Sequence, residues 1–138
     1  MFASARLAYE SSTKTTASGR ELESAALYKA ARQLELVQQD WEAVDRDRRL
    51  EEALRYNQRL WTFFQAELEA EDCPLPRELR LNLLRLGRFV DSRTFALLAE
   101  PERERLQALI DLDRNIAAGL ADCSAETVET SPIRSAAA

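Results

Sequence analysis

The chain has 138 residues, 46% hydrophobic and 31% charged, with a net charge of −5. That is the length of one domain with a core of its own, and too acidic for broad, non-specific attachment to nucleic acid. Histidine is absent, which removes the commonest general base and the commonest metal ligand.

Three glycines and four prolines predict few turns and few, long elements. No apolar run approaches the roughly 18–20 residues of a membrane span, and "MFASARLAYESSTKTTASGR" lacks the apolar core of a secretory signal. Cys73 and Cys123 lie 50 residues apart and are expected to be free thiols in a reducing, cytoplasmic compartment.

In chain order, "SARLAYE" has the pattern for a turn or two of helix, and "SSTKTTAS" (11–18) is a Ser/Thr cluster that reads as a linker. Ser18 and Glu21 form an S-x-x-E capping box. From there Leu22, Ala26, Ala30, Leu34, Val37 and Trp41 step by three and four, predicting a first helix to about residue 42. "DRDRR" (45–49) is a charged break, with Asp45 or Asp47 available as a cap. The second helix carries Leu50, Leu54, Leu60, Trp61, Phe64 and Leu68 on one stripe, with Asn57 inside it. Pro74 in "DCPLP" stops it, and Pro76 suits the first turn of the next.

The third helix has Leu79, Leu83, Leu86, Val90 and Leu97 as its stripe, widened by Leu81, Leu84 and Phe95. The fourth is expected to open at Pro101 with Glu102 and Glu104 against the helix dipole, then to run through Leu106, Leu109, Ile110, Ile116 and Leu120. After Asp122 the apolar content drops, so 122–138 are expected to be a disordered tail. The fold class is all-α: a small bundle of four main helices, with an arm and linker over 1–18 and a helical domain over 19–121.

No Gly-rich loop, GxSxG or Cys–His pair occurs, and nothing cationic near Cys73 activates its thiol. No catalytic, cofactor or metal residue is expected; the expected work is binding. Charge is uneven. Residues 76–98 hold five arginines against Glu78 and Asp91, 50–72 hold two against six acids, and 99–122 three against six. Oppositely charged helices packing side by side would account for this; an arginine face contacting RNA is the sharper alternative.

"ALRYNQRLWTFF", "LPRELRLNLLRLGRFV" and "LIDLDRNIAAGLA" follow one another in an order and spacing that resembles the FlaF family of bacterial flagellar biosynthesis proteins, as do "SARLAYE" and "SGRELE". The resemblance spans about residues 5–121. Gly19 stands where that family usually has proline, and Asp113 where it usually has asparagine. The resemblance implies a cytoplasmic accessory factor that binds flagellin and supports its synthesis, secretion and assembly, with helix-in-groove recognition as the physical mode. The alternatives are an RNA-associated regulator of flagellin translation, or an adaptor for another flagellar regulator.

The candidate partner-binding residues are Asn57, Trp61, Phe64, Leu83, Gly87 and Phe89. Each also has a structural reading. Asn57 fixes helix register through an interhelical hydrogen bond, and Trp61 and Phe64 pack the core. Gly87, which costs about 1 kcal/mol against alanine in mid-helix, admits a close neighbour: helix two, helix four or a flagellin helix.

Overall fold

The computed structural model describes residues 14–137, and side chains over 19–122. The "SARLAYE" turn lies outside the described residues. Four α-helices follow in order: α1 (Lys14–Gln39), α2 (Arg46–Glu69), α3 (Arg77–Ala99) and α4 (Leu106–Ala137), with a 3-10 turn at Arg103–Arg105 before α4. No strand occurs among the described residues, so the fold is all-α as expected.

The boundaries differ from expectation in instructive ways. The chain is helical from Lys14, so Ser18 sits inside α1 rather than at its start, and the linker is shortened accordingly. The helix ends at Gln39, before Trp41. Asp45 occupies the N-cap position of α2, but its side chain makes no capping bond; it pairs with Arg48 at 2.9 Å instead. Pro76 is the N-cap of α3, one residue ahead of the helix, and its carbonyl accepts from the Arg80 amide at 2.9 Å. Pro101 does not open α4, because residues 103–105 form a tighter 3-10 turn first. The α4 backbone then continues to Ala137, beyond Asp122 where a tail was expected. The side chains of 123–138 lie outside the described residues.

By internal contacts the chain divides into two compact units. One is Lys29–Leu112. The other joins the described residues up to Tyr28 with those from Asp113 onward. Helices α1 and α4 therefore each contribute to both.

Lys29–Leu112 is a small helical bundle. The stripe read for α2 is buried as a whole: Leu50, Leu54, Asn57, Leu60, Trp61, Phe64 and Leu68. Each enclosed leucine is worth about 1.5–3 kcal/mol relative to exposure. Trp61 and Phe64, one turn apart, meet edge to face at 5.9 Å, and Phe63 meets Phe64 likewise at 6.3 Å. Ala30, Ala31, Leu34 and Val37 of α1 and Leu106, Leu109 and Ile110 of α4 complete the core with Val90 and Leu97 of α3.

Polar groups tie the helix ends of this unit. Arg103 Nε donates to the Gln38 carbonyl (3.0 Å), Gln38 donates its amide to Gln107 (3.2 Å), and Arg93 donates to the Arg105 carbonyl (3.1 Å). The 3-10 turn is thus held from both α1 and α3. Between α1 and α2, Arg49 bonds Asp40 at 2.7 Å and the Arg46 guanidinium lies 4.3 Å from the Trp41 ring centre.

In the second unit, Ser24 Oγ donates to the Ala117 carbonyl at 2.8 Å. Leu27, Asp113 and Ala117 are enclosed there. Leu22, placed by spacing on the buried stripe of α1, is instead 70% exposed, because the buried stripe runs Ser24–Leu27–Ala31–Leu34. A serine at its head hides that phase from a hydrophobic count.

Candidate protein-interaction surface

α3 packs on α2 but is not buried like it. Its C-terminal half encloses Val90, Thr94 and Leu97, whereas Gly87 is the only fully buried residue of its N-terminal half. Leucines at 79, 81, 83, 84 and 86 go right round the helix, so no single packing face covers them all. Leu79 is 45% and Leu81 38% exposed, and Leu83, Leu84 and Leu86 are half-buried. The stripe that reads as core is therefore only partly covered along two turns of α3.

Helical geometry sorts these residues onto two strips. Leu79, Leu83, Leu86 and Phe89, spaced four, three and three, continue the buried face towards the helix N-terminus and then round its edge to Phe89. Arg77, Leu81, Leu84, Arg88 and Phe95 share an arc of the outer side, with Arg85 and Ser92 beside them. Phe89 is 36% exposed with the Arg93 guanidinium 5.0 Å from its ring centre, and Phe95 is 62% exposed.

The arginines of α3 are a further departure from expectation. The oppositely charged α2 and α3 do lie side by side, yet among the described residues no α3 arginine pairs with a carboxylate of α2 or of any other element. Arg85 donates to Asn82 and Arg93 to a backbone carbonyl, and Arg80 Nε is buried without a hydrogen-bond partner. On α2, by contrast, four of the five arginines are ion-paired. Arg46, Arg48, Arg49 and Arg55 all pair with nearby carboxylates, and Glu52, then Asp45, hold the Arg48 guanidinium still more firmly in its charged form.

The six candidate residues separate into two groups. Asn57, Trp61 and Gly87 are enclosed, and Phe64 is 9% exposed. Gly87 has an internal neighbour: a Cβ there would meet the Gln65 side chain of α2, with Gln65 Cγ and Cδ at 3.0 Å. Leu83 and Phe89 are accessible and lie on one strip. Leu79, Leu81, Leu86 and Phe95 are accessible too, although spacing had put them with the core. The signal available in the sequence was that α3 carries more leucine than one face can hold.

Among the described residues no group of three or more His, Cys, Asp or Glu gathers as a metal site, and no helix is long and apolar enough to cross a membrane. Cys73 is a half-buried free thiol. A representative depression, about 320 Å³ and lined by Arg48, Glu51, Glu52, Arg55 and Arg59, is open to solvent.

The molecule is thus an all-helical protein whose distinguishing surface is an incompletely covered helix. Residues 5–120 match the family described as flagellar protein FlaF, and the chain belongs to that family. It is a flagellar protein. No curated protein and no solved structure matches it.

Proposed function

We propose that this FlaF-family protein is a cytoplasmic accessory factor that binds flagellin and supports its synthesis, secretion and assembly, acting by binding and not by catalysis. The observation that carries the reading is the strip Leu79–Leu83–Leu86–Phe89, apolar residues at helical spacing that α2 leaves partly open. A helix of flagellin laid along this strip completes the burial that the fold leaves unfinished, in the manner of helix-in-groove recognition. Apolar surface covered in this way is kept from premature association.

The test is co-purification from flagellated cells with the tagged chain. Leu79→Glu and Phe89→Glu change exposed side chains, so helical circular dichroism should stay as in wild type while flagellin is lost from the eluate. Leu36→Glu, at an exposed leucine of α1, is the control and should retain it. Flagellin recovered equally with all three variants would overturn the reading.

A further inference from the structure

The outer strip of α3 is a second surface, separate from the one proposed for flagellin. Leu81 and Phe95 stand out from the helix at 38% and 62% exposure, in line with Arg77 and Arg88 and next to Arg85, all three exposed. Phe95, eight residues beyond Gly87, stands about 80° round the helix from the position that Gln65 of α2 covers.

Two facts bear on what covers this strip. Residues 77–98 hold only Glu78 and Asp91 as acids against five arginines, and among the described residues none of Arg77, Arg85 and Arg88 has a carboxylate partner. Elsewhere several arginines of the same chain are neutralised locally, as Arg48 is between Asp45 and Glu52 and Arg55 is by Glu51. Unneutralised guanidinium groups flanking two exposed apolar side chains form a surface with a definite complement. That complement carries apolar residues with carboxylates interspersed along the same line and beside it, because charges of opposite sign steer and orient an encounter while buried apolar anchors hold it.

We infer that the outer strip Arg77–Leu81–Arg85–Arg88–Phe95 docks an acidic amphipathic helix of a second protein partner. Its apolar stripe packs on Leu81 and Phe95, and its carboxylates meet the three arginines. Guanidinium groups suit this pairing through bidentate contact with carboxylates. Because the strip lies on a different arc of α3 from Leu79–Leu83–Leu86–Phe89, the two surfaces can be occupied independently, and the chain can join two partners.

The probes are two synthetic amphipathic helices with identical Leu/Phe stripes, one flanked by glutamates and one by lysines, titrated onto the full chain by fluorescence anisotropy. The glutamate helix should bind, and more weakly as salt rises; the lysine helix should not. The double variant Arg85→Glu/Arg88→Glu, both exposed positions, should lose about tenfold or more in affinity for the glutamate helix and gain binding of the lysine helix. Phe95→Ala should weaken the glutamate helix without changing its salt dependence.

Equal binding of both helices, or affinity unmoved by the charge reversal, overturns the inference. So does single-stranded oligouridine that binds more tightly than the glutamate helix and is lost in the same variant, since the strip would then be an RNA surface. Flagellin recovery with Arg85→Glu/Arg88→Glu should stay at the wild-type level. Leu79→Glu should keep the glutamate helix while losing flagellin, so failure of one surface is told apart from failure of the other.

Discussion

Gln65 of α2 lies across Gly87 of α3, so close that a methyl group at residue 87 would collide with its side-chain amide and sit 3.0 Å from its Cγ and Cδ. The glycine is there for this neighbour. Alanine at 87 would gain about 0.8–1.0 kcal/mol of helix propensity, but Gln65 must move. Gly87→Ala should therefore be near neutral in wild type and stabilising by about 1 kcal/mol in a Gln65→Ala background. Gly87→Leu should destabilise by about 1–3 kcal/mol. Urea melts of the four variants and wild type read this cycle, and simple additivity would show that Gln65 is not what excludes a side chain.

Thr94 is fully enclosed on α3 and its hydroxyl has no hydrogen-bond partner. Burying a hydroxyl unmade costs about 1–3 kcal/mol on mutational scales. Thr94→Val keeps the branched shape and removes the orphan oxygen, and should raise stability by about 1 kcal/mol. A fall in the melting midpoint would mean that the hydroxyl is satisfied in solution.

Trp61 is 1% exposed and stacked edge to face on Phe64. Trp61→Ala should cost about 3–5 kcal/mol, as truncation of a buried large ring does. An unchanged melting temperature with loss of flagellin would instead place the ring in a partner contact.

Much of this was legible from the residues, and α2 shows why. Its apolar positions fall on one arc, so a period of 3.6 identifies the buried face and includes Asn57 despite its polarity. On α3 the same reading fails, because leucines at 79, 81, 83, 84 and 86 give no preferred direction; only the actual neighbour, Gln65 over Gly87, selects it. The start of α1 misled for a different reason. Ser24 earns its buried place through a bond to a carbonyl 93 residues away, which no local pattern encodes. The arginines of α3 were visible as a charge excess, but their lack of carboxylate partners is a property of the folded chain alone.

Ser24 tests that point directly. Its 2.8 Å bond to the Ala117 carbonyl is buried, so Ser24→Ala should lower stability by about 0.5–1.5 kcal/mol. Ser24→Cys, similar in size but a weak donor, should fall between serine and alanine. Thermal denaturation followed at 222 nm distinguishes the three, and equal midpoints would show that the bond contributes nothing net.

The carbonyl of Gln38, in the last turn of α1, is closed by the guanidinium of Arg103, 65 residues later, on a turn whose Arg105 carbonyl is in turn gripped by Arg93. A growing polypeptide leaves the ribosome from its N-terminus, so the end of α1 waits in water while α2 and α3 are being made. Its closing residue arrives only after both. This bond can therefore form only once α2 and α3 have been made, and a nascent chain stalled before Arg103 would lack it.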